Sequence, residues 1–244
     1  MSPTSWSDTD KYKDVCIKVI TDENVFKNFK NNSEYNKILE HVNFENGYKY
    51  LNRILETGYD TESILLMCKI NDSIGNPTKF QYPELLDEVS PSSLRYLKTY
   101  LDLKTIYKNL QNLNITEIGG GYGGQFLFIF LHNGKTFNYN IFDLREVSAL
   151  QNKYIKKFTK FPVKLYSKIE EVHSDLVISN YAFSEINREV QEEYYDKVIK
   201  NAKHGYMIFN NDGSHGNMLI SELKDRIDNS IIVNNQPDFN TLIW

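Results

Sequence analysis

The chain has 244 residues, of which 41% are hydrophobic and 14% aromatic, enough to bury a sizeable core and to exclude wholesale disorder. Lys and Arg total 28 against 32 Asp and Glu, a formal charge of −4 with no long basic block, which excludes a sequence-independent nucleic-acid binder. Two cysteines, Cys16 and Cys68, exclude a disulfide scaffold and a cysteine-based zinc cluster.

Residues 1–112 read as a helical extension. Tyr35, Ile38, Leu39 and Val42 recur at i, i+3, i+4, i+7, the spacing of one apolar helical face, and Tyr48, Leu51, Ile54 and Leu55 repeat it before Gly58. Ser92 is the expected cap of a further helix carrying Leu94, Leu97 and Leu101, with Pro91 in the preceding turn. The run Asn71-Asp72-Ser73-Ile74-Gly75-Asn76-Pro77, followed by Phe80, Tyr82 and Pro83, is rich in turn formers and predicts an ordered loop. Its amides, carboxylate and aromatic rings suit a lid over a bound acceptor, and a well-capped turn between helices is the alternative.

Residues 113–244 follow another grammar. Strands are predicted at 115–118, 137–142, 163–166, 175–179, 206–209, 230–233 and 241–244. Helices alternate with most of them, at 125–131, 147–158, 190–202 and 219–227. Such alternation argues for βαβ crossovers and a parallel, doubly wound sheet. The last two strands are about seven residues apart, too close for a helical crossover, so they form an antiparallel hairpin. The fold class expected is a seven-stranded, mostly parallel α/β sheet with a helical N-terminal extension.

Glycines 119, 121 and 124 satisfy G-x-G-x-x-G between a strand and a helix, where a backbone without Cβ atoms closely approaches a ligand at a helix N-terminus. Asp143 ends the second strand 19 residues beyond Gly124, placed to accept the ribose hydroxyls of an adenosine. NAD and S-adenosylmethionine both suit this geometry. Glu117 favours the second: a buried carboxylate two residues before the first glycine needs a partner, and the cationic amino-acid end of S-adenosylmethionine supplies one.

The segment Glu117-Ile118-Gly119-Gly120-Gly121-Tyr122-Gly123-Gly124-Gln125 resembles the glycine motif of the sugar O-methyltransferase family. Asp143-Leu144-Arg145-Glu146-Val147 is similar to its second-strand segment, where the family more often has Pro at the position of Arg145. Ser179-Asn180-Tyr181-Ala182-Phe183-Ser184-Glu185 is similar to the segment after its fourth strand. The runs 71–77 and 90–96 also resemble it, so the likeness extends from about residue 60 to the end. It implies a Rossmann-like class I methyltransferase that takes a methyl group from S-adenosylmethionine to a sugar hydroxyl and leaves S-adenosylhomocysteine.

Ligands of open α/β sheets bind beyond the carboxyl ends of the strands, which sorts the candidates. Donor-binding residues are expected to be Glu117, Gly119, Gly120, Gly121, Gly123, Gln125, Asp143, Leu144, Ser167 and Asn180. Glu185 and His215 are the candidate bases, with Asp212 beside His215 and Tyr181 near the methyl group. A divalent ion on Asp212, His215 and Glu185 is the less favoured arrangement, and no metal ligand is assigned. His132, His173 and His204 precede strands, on the wrong edge, and His41 falls in the helical extension. Arg95 is either a helix-surface residue or a contact to an acidic acceptor. The N-terminus has neither the basic start nor the apolar run of a signal peptide, and no 18-residue apolar stretch occurs, so a cytoplasmic protein without membrane or nucleic-acid partners is expected. An NAD-dependent oxidoreductase and a non-catalytic methyltransferase-like subunit are the alternatives.

Overall fold

The computed structural model describes residues 8–210, 216–234 and 240–244. Its centre is a seven-stranded sheet of β1 (Asn114–Ile118), β2 (Asn138–Phe142), β3 (Val163–Tyr166), β4 (Leu176–Asn180), β5 (His204–Phe209), β6 (Ile231–Val233) and β7 (Asn240–Ile243). The strand order is 3-2-1-4-5-7-6, with β1 to β5 parallel and β7 antiparallel to both β5 and β6. The order reverses direction between β1 and β4, where open sheets hold their ligands.

Before the sheet come α1 (Asp10–Thr21), α2 (Glu23–Asn28), a short helical stretch α3 (Ser33–Tyr35), α4 (Phe44–Glu56), α5 (Thr61–Asp72) and α6 (Pro91–Tyr107). The sequence writes most of their starts. Thr9, Asp22, Asn32, Asn43, Asp60 and Ser90 each accept a backbone N–H of the following first turn through the side chain. The cap of α6 is Ser90 rather than the expected Ser92. Pro91 occupies the first helical position, where its missing N–H costs nothing. The predicted helix through Ile38 and Leu39 is instead a π-helical turn, Asn36–Glu40, continuing α3.

Strand alternation divides the core. Ile115, Leu176, Ile178, Tyr206 and Ile208 belong to one buried cluster together with side chains of α1, α4, α5 and α6. Val177, Met207, Phe209 and Leu242 belong to the other, against Tyr194, Val198 and Leu223. The extension is thus continuous with one face of the sheet and with its crossover helices α7 (Gly124–Asn133) and α8 (Arg145–Phe158). The remaining helices, α9 (Ala182–Glu185), α10 (Arg188–Tyr194) and α11 (Ile220–Lys224), lie between β4 and β6 in the chain. No helix among the described residues is long and apolar enough to cross a membrane.

The expected lid at 71–82 is corrected by the structure. Asn71 and Asp72 end α5 and are buried. The Asn71 amide donates to Ser93 Oγ (2.7 Å) and to the Tyr122 hydroxyl (3.0 Å), and its carbonyl oxygen Oδ1 accepts from Tyr154 (2.7 Å). Asp72 accepts from the Ser90 backbone N–H (2.8 Å) and from the hydroxyls of Ser90 (2.7 Å) and Ser93 (2.6 Å). These bonds fasten the extension to the glycine loop and to α8, so the segment is a fastening rather than a cover. Asp72→Ala leaves the buried Ser90 N–H and the Ser93 hydroxyl without their acceptor, since Ser90 Oγ still donates to Ser93 Oγ, and the expected loss is about 2–3 kcal/mol of unfolding free energy by urea titration.

Candidate functional site

The carboxyl ends of β1, β2 and β4 converge on the glycine loop. The Gly119 N–H donates to Phe142 O (2.9 Å), which ties the loop to the end of β2. Gly119 has φ +73°, and a Cβ there would stand 2.0 Å from Cβ of Ala182, so only glycine lets the β4 turn approach so closely. Asp143 draws the loop inward: its carboxylate accepts from the N–H groups of Gly121 (3.1 Å) and Leu144 (2.9 Å) and from the Gln151 amide (2.9 Å). Burial pushes its carboxyl up to about 7, against the pull of those donors.

Two cavities meet at this point. The larger, of about 350 Å³, is lined by Gly119, Gly121, Asp143, Asn180, Tyr181 and Glu185 from the sheet edge. Its other walls are Tyr12, Leu39, His41, Asn46, Tyr50 and Arg95 from the N-terminal layer. The smaller, of about 230 Å³, is lined by Phe142, Leu144, Tyr166 and Ser167, and shares Gly119, Asp143, Ala182 and Glu185 with the first. The rings of Phe142 and Tyr166 stack at 4.6 Å beside it. Together they make a bent trough across the β1/β4 switch point.

Polar groups of the β4 turn face this trough. The Asn180 amide donates to Gln125 Oε1 (3.3 Å), while Asn180 Oδ1 is buried with no hydrogen-bond partner among the described residues. Tyr181 adopts φ +72°, a strained conformation for a side chain of its size, and the Ser184 hydroxyl donates to its carbonyl oxygen (2.7 Å). Glu185 accepts from the Asn210 amide (2.6 Å) at the junction of the two cavities.

Of the candidates named from sequence, Gly119, Gly121, Asp143, Leu144, Ser167, Asn180, Tyr181 and Glu185 stand on these walls. Four others stand behind them. Gly120 packs its backbone on Ile141, and Gly123 caps α7 against Ile155. Gln125 is buried, bonded to Tyr96 O (3.3 Å) as well as to Asn180. Glu117 lies 1% exposed beneath the loop, accepting from the Tyr139 hydroxyl (2.9 Å), and lines neither cavity. A Cβ on Gly120 would come within 3.2 Å of its Oε2, so the carboxyl backs the loop. Burial pushes it up to about 8, which keeps it protonated at neutral pH. Asp212 and His215 lie outside the described residues. Among the described residues, no group of three or more His, Cys, Asp or Glu is placed to hold a metal ion.

Sequence reasoning missed most of the opposite wall. By sequence His41 falls in the extension, yet the turn after the π-helical stretch brings it to the larger cavity. Partial desolvation, together with the field of Arg95, holds its imidazole below the ordinary histidine value, which favours the neutral form. Tyr12, Asn46 and Tyr50 carry no local motif, and Arg95, which the sequence leaves between the helix surface and a contact to an acidic acceptor, stands on the cavity wall. Only the docking of α1, α4 and α6 against the sheet domain puts them there.

No protein-family model and no curated protein matches the sequence. Solved structures do show a likeness in fold. The chain is similar to magnesium protoporphyrin IX methyltransferase from Synechocystis with bound S-adenosylmethionine, at 9% identity and TM-score 0.48, over 61% of this chain and 76% of that one. It is similar to an S-adenosylmethionine-dependent methyltransferase from Aquifex aeolicus at 12% identity and TM-score 0.49, over 76% and 97%. An O-methyltransferase family protein from Burkholderia thailandensis aligns at 11% identity and TM-score 0.44, over 60% and 55%.

Proposed function

We propose that this chain is an S-adenosylmethionine-dependent methyltransferase and that its acceptor is a hydroxyl group on a sugar. The observation that carries the donor assignment is the pair of cavities joined at Gly119 and Asp143, at the switch point of a 3-2-1-4-5-7-6 sheet. The smaller cavity, with Leu144, Tyr166 and Ser167, suits an adenine. Asp143, on the wall shared by both cavities, suits the ribose hydroxyls. The unmatched Asn180 Oδ1 offers an acceptor to the donor's ammonium group, in a site where leaving it unpaired costs about 1–3 kcal/mol. The sugar acceptor rests on the resemblance of the glycine loop and of the β2 and β4 turns to the sugar O-methyltransferase family.

When bound, the donor supplies a methyl group already activated on a sulfonium. The protein's own work is alignment, exclusion of water and removal of one proton from the acceptor hydroxyl. Gly119 and the Tyr181 turn set the approach, and the N-terminal layer roofs the larger cavity. Glu185 is our candidate for receiving the proton, since it touches both cavities and is oriented by Asn210. His41 faces the same space as a neutral imidazole and is the second candidate, and His215 with Asp212 remains the sequence-based third.

Calorimetry with S-adenosylhomocysteine is the test of the donor: micromolar binding is expected, and binding of NADH in its place would establish the oxidoreductase reading instead. Glu185→Gln is then expected to bind S-adenosylhomocysteine normally and to methylate sugars about 10²–10⁴-fold more slowly. Unchanged turnover would move the proton acceptor to His41 or His215.

A further inference from the structure

We infer that the acceptor carries an anionic group, a carboxylate or a phosphate, and that Arg95 in the larger cavity receives it. The inference rests on the methyltransferase reading above and specifies its substrate class. Arg95 projects from α6 and is 8% exposed, through the cavity wall. Its Nη2 donates to Leu39 O (3.3 Å), while its Nε has no hydrogen-bond partner among the described residues. The guanidinium stands 5.5 Å from the ring of Tyr96 and 6.0 Å from that of Tyr181, so apolar faces rather than water surround it.

The acid whose field reaches Arg95 is Glu40, and it is a poor counter-ion. Glu40 is itself buried, which raises its carboxyl above the ordinary value, and its Oε1 has no partner among the described residues. It also shares its field with Lys30, whose ammonium is buried and bonded to Asn71 O (2.7 Å). Lys30 lies behind this wall and shares its field with Asp72 as well, so Arg95 is the charged group that faces the cavity here, and the neighbouring His41 feels it. The opposite wall holds Asp143 and Glu185.

The cavity is therefore polarised, acidic at the sheet edge and basic at the N-terminal layer. A cationic donor belongs against the acids. What remains beside Arg95 suits an anion: a planar fork of N–H donors matches a carboxylate or phosphate, and a desolvated site strengthens the pairing. The anion also neutralises the repulsion between the guanidinium and a sulfonium in the same cavity. A neutral sugar leaves the buried Arg95 Nε–H without an anionic acceptor.

The test titrates the full chain, saturated with S-adenosylhomocysteine, with methyl glucoside, glucuronate and glucose 6-phosphate, by calorimetry at low ionic strength. At least one anion is expected to bind 10-fold or more tightly than the neutral glucoside, with the preference weakening in salt and disappearing in Arg95→Gln. The carboxylate and phosphate arms decide which anion the site takes. Equal binding of all three, no binding of either anion, or a preference that survives Arg95→Gln would overturn the inference. Should that variant fail to fold, the NMR signal of the Arg95 Nε–H in the unaltered protein reads the contact, and a signal unmoved by either anion overturns it equally. The titrations are repeated without S-adenosylhomocysteine, so that failure to bind the product sinks the methyltransferase reading while the anion preference is still read.

Discussion

Asp143→Ala is expected to weaken S-adenosylhomocysteine binding about 100-fold or more by calorimetry. Two losses combine. A carboxylate that accepts from two ribose hydroxyls contributes on the order of 1.5–3 kcal/mol per charge-assisted hydrogen bond. The same carboxylate also holds the Gly121 and Leu144 N–H groups and the Gln151 amide, so its removal loosens the loop that frames both cavities. The melting temperature is expected to fall only slightly, because the neighbouring N–H groups border a cavity and water can satisfy them. Unchanged affinity in a folded Asp143→Ala protein would remove the nucleotide from this end of the sheet.

The second large effect is on pH dependence, and it comes from Glu117. Burial, together with the charge of Asp143, raises its carboxyl to about 8, while the Tyr139 hydroxyl only partly opposes the shift. In the unfolded chain the same group titrates near the ordinary 4.5. The native state therefore binds the extra proton between those values. Stability is full below about 4.5, is lost as pH rises, and levels off above about 8, at up to about 1.4 kcal/mol per pH unit. Asp143, raised from 3.8 to about 7, adds a loss of the same sign at lower pH. Glu117→Gln keeps an acceptor for Tyr139 and cannot ionise. Its unfolding free energy is expected to match the parent near pH 5 and to exceed it by several kcal/mol at pH 8.5, in parallel urea titrations. Coincident pH profiles for the two proteins would show that the carboxyl is not held neutral by the fold.

Much of the sheet-edge half of the site was legible in the residues alone. The alternation of short apolar strands with amphipathic helices specified the sheet, since each central strand must bury both faces and each crossover helix only one. All seven predicted strands are present, and the antiparallel end follows from the short link between the last two. Gly119 and Asp143 were readable because close backbone approach and an acid at a strand end are local demands, written within about 25 residues. Glu117 was read as buried but its direction was not, because a strand position fixes which face a side chain takes and not what lies there. It points beneath the loop to Tyr139, which belongs to the next strand.

The roof of the site was decided only by the tertiary structure. Asn71 and Asp72 read locally as a loop, and nothing in their own neighbourhood names Ser90, Ser93, Tyr122 and Tyr154 as their partners. His41 and Arg95 lie 54 residues apart in the chain and meet at one wall because α4 and α6 pack together. Local spacing determines what each element buries. Which charges then share a cavity depends on how whole elements dock, and on burial that weakens Glu40 as a counter-ion while leaving Arg95 charged.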